Sequence, residues 1–217
     1  MSKDYVAIID YGSGNLRSAA KAFEHVIAER GLDVDVRITS APDDLDGASH
    51  IVLPGQGAFA DCMRGLRASG MLPALEVNVL ERKAPFLGIC VGMQLLADKG
   101  FEHGEHEGLG WISGDVVPMS PDDKALKIPH MGWNIIDITA LNAEPHPVLK
   151  GVNSEDHYYF VHSFMFQCKE ERNVLAKTSY GGDVTAIIAD ANIIGVQFHP
   201  EKSQKSGMKL LHNFLTL

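Results

Sequence analysis

Residues 85–96 read PFLGICVGMQLL and join a predicted buried strand to a predicted helix through Cys90. Gly88 and Gly92 stand two residues to either side of the cysteine, and glycine permits a sharp turn that a Cβ would obstruct. This spacing is the nucleophile-elbow pattern with cysteine in place of serine. Such a turn places the thiol at a helix N-terminus, where the helix dipole favours the reactive thiolate. The stretch therefore predicts a nucleophilic cysteine at the carboxyl end of a buried strand.

The regions around this stretch predict an α/β fold. In the first half of the chain, apolar runs alternate with helical patterns, which indicates an open, mostly parallel central sheet with helices on both faces. Predicted strands there cover 5–10, 34–38, 50–53 and 85–89, and predicted helices cover 16–27, 66–80 and 91–96. From residue 114 onward, strand-like runs indicate antiparallel strands, in an antiparallel or mixed sheet that flanks the parallel core. They cover 115–119, 133–138, 158–161, 174–178, 186–189 and 193–197, with a hairpin turn at 190–192 and a final helix over 206–215.

Composition limits the classes of function that the chain can have. Its 217 residues are 45% apolar and 22% charged, which suits a single domain over 1–217 and excludes global disorder. The net charge is −9, from 28 acidic and 19 basic side chains, so we expect no nucleic-acid partner, because phosphate backbones demand clustered cations. The three cysteines are far apart and odd in number, which excludes a disulfide framework and a paired zinc motif. For Cys62 and Cys168 we expect packing roles.

The N-terminal stretch MSKDYVAIIDYG lacks the features of a secretory signal. It has no cationic start, no long apolar run and no small-residue cleavage site. No apolar run in the chain approaches the roughly 20 residues that a membrane span requires. We therefore expect a cytoplasmic protein with reduced thiols and no membrane partner.

A second stretch, residues 195–201 with the sequence GVQFHPE, supplies a candidate base for the cysteine. A strand-like run ends at His199, and Glu201 lies two residues further on. Pro200 restrains the backbone between them and disfavours a helix at His199. A carboxylate that close can orient the imidazole and stabilise its protonated form, so Cys90, His199 and Glu201 form a candidate catalytic triad. Alone, HPE is also compatible with a core or capping histidine, but the cysteine elbow favours the catalytic interpretation.

A third stretch, residues 53–57 with the sequence LPGQG, is a candidate oxyanion turn. Acyl transfer at a thiol needs backbone N–H donors for the developing oxyanion. One donor is the N–H of Val91, the residue after the nucleophile. The other is expected from the turn formed by Gly55, Gln56 and Gly57, at the carboxyl end of another parallel strand, where open α/β sheets bind ligands. Taken alone, this turn is more typical of a plain loop.

Two other stretches suggest alternative ligands. Residues 101–108, FEHGEHEG, contain histidines and glutamates, but glycines bracket them and no fixed secondary structure is predicted, which favours a solvated loop over a metal site. Residues 11–15, YGSGN, follow a strand and precede a helix, a setting that can hold an anion. The third glycine and the downstream acid of a dinucleotide site are missing. We therefore expect no metal and no cofactor.

The three stretches together resemble the class I, triad-type glutamine amidotransferases. GICVGMQLL matches the nucleophile segment, LPGQG the oxyanion strand and GVQFHPEKS the histidine–glutamate pair. The stretches IDYGSGNLRS, IPHMGWN and YFVHSF are similar to the glutaminase subunits of imidazole glycerol phosphate synthases within that family. The resemblance spans nearly the whole chain and implies a flavodoxin-like core.

This resemblance implies a reaction and a partner. L-glutamine would bind near Cys90, which attacks its side-chain amide and forms a glutamyl thioester as ammonia leaves, and water then releases glutamate. The ammonia would pass to a separate TIM-barrel cyclase subunit, HisF, in a heterodimer that makes imidazole glycerol phosphate and AICAR ribonucleotide in histidine biosynthesis. A separate acceptor site also fits the sequence itself, which has no P-loop and no clustered phosphate-binding cations.

The resemblance also implies roles for residues outside the triad. Gln94 would hold the substrate glutamine, with Gly57, His162 and Ser163 lining the same pocket. The positions that match the cyclase interface or its neighbourhood are Asn15, Met131, Trp133, Tyr159 and Lys202. Gln56 departs from the family pattern, which usually has an apolar residue such as Val there, but a backbone donor does not depend on the side chain.

Two alternatives stay open on the sequence. One is a glutaminase that serves a different synthase, of the pyridoxal phosphate or anthranilate type. The other is a non-catalytic scaffold subunit, against which the intact triad argues. The family further implies that the turn at 55–57 is not preset for catalysis, so we expect low glutaminase activity from the isolated chain.

Overall fold

The computed structural model describes residues 4–138 and 146–217, in which strands and helices alternate through the first half of the chain. The strands are β1 (Asp4–Ile9), β2 (Val34–Thr39), β3 (His50–Gly55), β4 (Phe86–Cys90), β5 (Lys99–Gly100), β6 (His106–Glu107), β7 (Gly114–Pro118), β8 (His130–Ile135), β9 (Asp137–Ile138), β10 (His157–His162), β11 (Phe164–Cys168), β12 (Val174–Ser179), β13 (Asp183–Asp190) and β14 (Ile193–Val196). The helices are α1 (Leu16–Arg30), α2 (Phe59–Ala68), α3 (Leu72–Leu75), α4 (Val91–Gln94) and α5 (Gln204–Leu215), and a π-helical segment, Glu76–Glu81, continues α3. Single 3₁₀ turns lie at Pro42–Leu45, Pro147–Leu149, Glu171–Asn173 and Pro200–Lys202.

The central sheet has eight strands in the order β2-β1-β3-β4-β14-β13-β12-β9. The first five are parallel to one another, and the last three add antiparallel strands at one edge. This confirms the expected mostly parallel sheet with antiparallel strands from the second half of the chain. Because β3, β4 and β14 are parallel neighbours, their carboxyl ends meet at one edge, where open α/β sheets bind ligands.

The parallel strands are buried because helices cover them. All six residues of β3 and all five of β4 are buried, as expected when both faces of a strand are covered. The chain crosses from β1 to β2 through α1, and in the opposite direction along the sheet from β3 to β4 through α2 and α3. Crossovers between parallel strands are right-handed. The helices therefore lie on opposite faces of the sheet. On the α1 face, the Phe23 ring packs edge-on against Phe214 of α5, with ring centroids 6.1 Å apart.

Two predicted elements differ from the structure in informative ways. The helix expected over 91–96 ends at Gln94, because the carbonyl oxygens of Leu95, Leu96 and Ala97 accept hydrogen bonds from the 109–112 segment. The strand expected over 133–138 is two strands. The first, β8, pairs with β10 in a separate two-stranded sheet, and the second, β9, joins the edge of the central sheet.

A smaller sheet was not expected from the sequence. Its strand order is β11-β7-β5-β6, and β11 was missing from the prediction altogether. Its short strand β6 lies within residues 101–108, which we expected to be a solvated loop, and β5 lies just before them. By contrast, the predicted hairpin at 190–192 is confirmed, since Asp190 pairs with Ile193 and Ala191 has a φ of 51°.

Residues 1–3 and 139–145 fall outside the described ranges. We expect no secretory signal in the N-terminal stretch, and the first three residues of that stretch lie outside the described ranges. The single domain over 1–217 stays a prediction. Within residues 4–138 and 146–217, no helix is both long enough and apolar enough to span a bilayer.

Candidate active site

Cys90 sits at a strained turn between β4 and α4. Its φ is 55° and its ψ is −113°, a backbone conformation that is costly for a residue with a side chain. A Cβ on Gly88 would lie 2.6 Å from the carbonyl oxygen of Gly92, and one on Gly92 would lie 1.8 Å from that of Leu53. Glycines are therefore required at both flanking positions, as the elbow pattern predicts. Cys90 itself is 5% exposed.

His199 and Glu201 lie beside this turn at the carboxyl end of β14. The backbone N–H of His199 donates to the carbonyl of Tyr159 at 2.9 Å, and the Ser203 hydroxyl donates to the His199 carbonyl at 2.6 Å. The His199 Nδ1 lies 2.8 Å from Glu201 Oε1, with both side chains buried. Because Nδ1 is paired with the carboxylate, Nε2 is the nitrogen that can exchange a proton with Cys90.

The charges around His199 favour its protonated form. Burial alone would lower its pKa, but the Cys90 side chain and then the Glu201 carboxylate outweigh burial and raise the pKa to about 9. The second carboxylate oxygen, Glu201 Oε2, is buried without a hydrogen-bond partner. Its charge is therefore compensated chiefly through the imidazole, which ties the ionisation of the two groups together.

Cys90 and His199 line a cavity of about 280 Å³ at the edge where β3, β4 and β14 end, whereas Glu201 lies behind His199 and does not line it. The cavity is lined by Gln56, Gly57, Cys90, Val91, Gln94, Glu102, Pro129, Val161, His162, Ser163, Phe164, His199 and Lys202. Most of the predicted binding residues therefore surround one space next to Cys90. Gly55 does not line it. A Cβ at Gly55 would lie 2.5 Å from the Gly92 nitrogen, so this glycine serves the close packing of the two turns.

The candidate oxyanion turn does not present the Gln56 N–H to the cavity. That N–H donates to Ser13 Oγ at 3.1 Å, and the Ser13 hydroxyl donates in return to the Gln56 carbonyl at 2.7 Å. The Cys62 thiol is 3.3 Å from the same carbonyl, and the Tyr11 hydroxyl donates to the Pro54 carbonyl at 2.8 Å. The YGSGN stretch therefore holds this turn, whereas we had considered it as an anion site.

His162 lines the cavity as a neutral ring with both nitrogens occupied. Its Nδ1 donates to the Phe164 carbonyl at 2.8 Å, and its Nε2 lies 3.0 Å from His130 Nδ1. Burial lowers the pKa of each histidine to about 4, so both are uncharged near neutral pH. His162 can therefore shape the pocket, while its nitrogens are committed to protein groups.

Two polar residues at this site were not identified from the sequence. Glu102 lines the cavity, and its Oε2 accepts the Phe59 N–H at 2.8 Å, although its stretch was expected to be a solvated loop. His130 supports His162 from within the HMGWN motif, where only Met131 and Trp133 had been selected. No local sequence pattern indicates a role for Glu102 or His130, because each makes its contact with a residue distant in sequence. Among the described residues, no group of three or more His, Cys, Asp or Glu side chains is arranged so that it could hold a metal ion.

Most of the predicted interface residues form an exposed patch beside the cavity. Met131 is 62% exposed and Trp133 is 47% exposed. The Trp133 ring meets Tyr159 edge-on with centroids 5.9 Å apart, and Lys202 Nζ lies 5.6 Å above the Tyr159 ring. Asn15, the remaining predicted interface residue, has a structural role. Its Oδ1 accepts the Ser18 N–H at 3.4 Å and caps α1.

Comparison with known proteins places this site in a family. A sequence model described as Glutamine amidotransferase class-I matches residues 7–217. The chain is 53% identical over 211 residues to the imidazole glycerol phosphate synthase subunit HisH of Rhodospirillum rubrum, and the match covers 97% of each chain. It is 52% identical over 214 residues to the protein of the same name from Brucella abortus, again with 97% of each chain covered.

Solved structures show the same fold at much lower identity. A chain in the structure of PurLQS from Thermotoga maritima matches with a TM-score of 0.72 and 17% identity, over 99% of both chains. A crystal structure of a glutamine amidotransferase matches with a TM-score of 0.71 and 19% identity, over 97% of both chains. The family model and the curated relatives span nearly the whole chain. The chain therefore belongs to the class-I glutamine amidotransferase family.

Proposed function

We propose that the protein is the glutaminase subunit of an imidazole glycerol phosphate synthase. It hydrolyses L-glutamine to glutamate and ammonia and passes the ammonia to a cyclase subunit for histidine biosynthesis. The observation that carries the proposal is the strained Cys90 turn, which lines one cavity together with His199, while the buried Glu201 carboxylate pairs with the His199 ring. The extensive identity to two proteins named as that subunit supports the choice of synthase.

In the first half-reaction, His199 takes the thiol proton of Cys90 and the sulfur attacks the amide carbon of glutamine. His199 then returns the proton to the departing nitrogen, the C–N bond breaks, and ammonia leaves behind a glutamyl thioester. The raised pKa of His199 supports this role, because the imidazolium is the form that protonates the leaving group. Glu201 keeps the ring oriented through Nδ1.

In the second half-reaction, His199 takes a proton from water, and the oxygen attacks the thioester carbon. The C–S bond breaks, glutamate leaves, and the sulfur regains its proton from the imidazolium. Each tetrahedral intermediate carries an oxyanion, for which the Val91 N–H at the start of α4 is the first donor. The second donor would be the Gln56 N–H, once it leaves Ser13 and turns toward the cavity.

The polar lining of the cavity supports an amino-acid substrate. Glutamine carries an α-ammonium group, and Glu102 is a carboxylate in the cavity wall that can pair with it. Gln94 Nε2 donates both to Phe164 O and to Gln197 Oε1, so Gln94 presents its amide oxygen to the substrate. Gly57, His162 and Ser163 complete the wall.

The exposed patch of Met131, Trp133 and Tyr159 is the surface that we assign to the cyclase. Aromatic and methionine side chains are enriched at protein interfaces, and this patch adjoins the cavity in which ammonia is released. Lys202 reaches both the cavity and the Tyr159 ring, so it would lie between the reaction and the partner. Ammonia is mostly protonated in neutral water, which favours direct transfer across such an interface. We place the reaction in the cytoplasm, where the nucleophilic thiol stays reduced.

Co-expression with candidate synthase partners tests this function. We expect the chain to co-elute with the TIM-barrel cyclase and to hydrolyse glutamine slowly alone, faster with the cyclase, and fastest when the cyclase also carries its ligand. Co-elution with a pyridoxal phosphate or anthranilate synthase instead would reassign the acceptor. A stable cyclase complex that never hydrolyses glutamine would identify a scaffold subunit, and equal rates in all three states would refute the gating of activity.

A further inference from the structure

Gln197 lies directly behind the nucleophile, between the end of β14 and His199. It is fully buried, and its backbone N–H donates to the Ala186 carbonyl at 2.9 Å, so the extended pairing continues past the strand end. The strand itself ends at Val196, and the chain bends at residues 197 and 198 before it reaches His199. The intervening Phe198 points into the hydrophobic core. The Gln197 Nε2 lies 3.8 Å from Cys90 Sγ, within hydrogen-bonding distance of a sulfur acceptor.

The orientation of the Gln197 amide follows from its neighbours. The Phe164 carbonyl can only accept, so the Gln94 group that faces it at 3.2 Å is the NH₂. The same Gln94 NH₂ lies 3.0 Å from Gln197, which must therefore offer its oxygen in return. The NH₂ group of Gln197 then points toward Cys90. The Phe164 carbonyl thus determines, through the two amide groups, that an N–H donor of Gln197 faces the Cys90 sulfur.

This donor favours the thiolate over the thiol. Cys90 is almost buried, and a buried anion without a donor is costly. The Val161 carbonyl, 4.0 Å from the sulfur, can accept an S–H but cannot stabilise a thiolate. The His199 imidazolium is one stabilising partner of the thiolate. An N–H from Gln197 adds a second, neutral donor, which Gln94 holds in place. A residue with only a packing role at this position would need no polar group.

We infer that Gln197 is a further catalytic residue, whose amide N–H stabilises the Cys90 thiolate and whose oxygen links the nucleophile to the substrate-binding Gln94. The inference rests on the proposed function for its role in glutamine hydrolysis. The ionisation of the Cys90 thiol can also be measured without glutamine. The role of Gln197 and the proposed glutaminase function can therefore be refuted separately. The sulfur carries negative charge before it attacks and again when the thioester breaks. The Gln197 N–H would stabilise the sulfur at both steps.

The pH dependence of Cys90 alkylation by iodoacetamide tests this inference. Gln197→Met keeps the length and flexibility of the side chain but removes the donor. We expect alkylation of Cys90 near neutral pH to slow about tenfold and its titration midpoint to rise, since a hydrogen bond to a charged group is lost. The same variant on a Cys90→Ala background measures alkylation of the other two thiols. Gln167→Met, at the exposed position of β11, is the matched control and should leave the profile unchanged.

A measurement on the unmodified protein avoids dependence on a variant that fails to fold. The side-chain NH₂ resonance of Gln197 should shift with pH at the same midpoint as alkylation, because N–H···S⁻ is stronger than N–H···S. Cys90→Ala should abolish that titration. An NH₂ resonance that ignores the ionisation of Cys90, or an unchanged alkylation profile in folded Gln197→Met, would overturn the inference. A protein that passes both tests yet never hydrolyses glutamine would instead refute the proposed function.

Discussion

The nucleophile turn at 88–92 and the oxyanion turn at 54–57 face the same cavity but are held by different forces. Steric contacts hold the first, because no Cβ fits at Gly88 or Gly92. In the second, close packing is confined to Gly55, while hydrogen bonds to the 11–13 segment hold the Gln56 peptide and occupy the N–H that catalysis would use. Tight backbone packing leaves the first turn no other conformation. The Gln56 peptide can break its hydrogen bonds to Ser13 and form others.

Under the proposed function, this difference divides the site into two parts. The thiol and the imidazole already lie beside the cavity. The Gln56 N–H, by contrast, would have to leave Ser13 before it could donate to an oxyanion. Such a glutaminase would hydrolyse little glutamine until a partner rearranges the oxyanion turn. This agrees with the low glutaminase activity that we expect from the isolated chain.

The largest effect should come from removing the reactive atom of the nucleophile turn. We expect Cys90→Ser to lower glutamine turnover by about 10⁴-fold or more, because the weaker nucleophile cannot use the same proton transfer. Steady-state glutamate release measures it. Cys168→Ser, on β11, is the matched control and should retain activity within about twofold. Substantial activity in Cys90→Ser would remove Cys90 from the mechanism.

A second prediction compares one glycine from each turn. Gly92→Ala would place a Cβ 1.8 Å from the Leu53 carbonyl, so we expect a loss of about 4 kcal/mol or more in the free energy of unfolding. Gly57→Ala meets no atom within 4 Å and suffers only from a φ of +99°, so we expect a loss of about 1 kcal/mol. Urea unfolding measures both. Similar losses in the two variants would contradict the distinction between the turns.

A third prediction concerns pH. Because the folded-state pKa of His199 is raised to about 9, its protonation stabilises the fold fully below pH 6.5, and this contribution is lost as pH rises through about 9. Glu201→Gln removes one of the charges that raise this pKa. We therefore expect the alkaline loss of thermal stability to begin closer to neutral pH.

Unfolding temperatures recorded from about pH 6 to about pH 10, together with the His199 ring resonance, measure this shift. Glu155→Gln, at an exposed glutamate, is the matched control. An unchanged His199 titration in Glu201→Gln would show that the carboxylate does not set the charge of the imidazole.

The smallest effect should come from the oxyanion turn. Ser13→Ala removes the hydroxyl that occupies both polar groups of Gln56, so we expect glutamine turnover without the cyclase to rise about threefold to tenfold. The stimulation by cyclase should fall correspondingly. Ser18→Ala, on α1, is the control and should change neither rate. Lower unstimulated activity in Ser13→Ala would mean that the serine supports the turn without restraining it.

The nucleophile turn was predictable from sequence because its determinants are local. Gly88, Cys90 and Gly92 lie within five residues, and a strand-to-helix turn at this spacing has few solutions. His199 and Glu201 were predictable for a similar reason, since a proline between them limits their geometry. The parallel arrangement of β1, β2, β3 and β4 followed from strand–helix alternation. The parallel pairing of β14 with β4, the strand β11 and the division of 133–138 into β8 and β9 did not.

The contacts that restrain the oxyanion turn were not predictable. Ser13 belongs to a stretch that we considered as an anion site, and nothing local marks it as the partner of Gln56. Glu102 and His130 were missed for the same reason. Each acquires its role from a neighbour far along the chain, and a single sequence does not record such pairings.

By itself, the sequence determined the elbow, the candidate triad and the α/β class, because each depends on short-range backbone geometry and hydrophobic periodicity. Only the tertiary structure decided which donor faces Cys90, which hydroxyl occupies Gln56 and which carboxylate enters the cavity. These are hydrogen bonds between segments brought together by sheet order and loop packing. The direction of a donor or acceptor is decided by what the fold places opposite it.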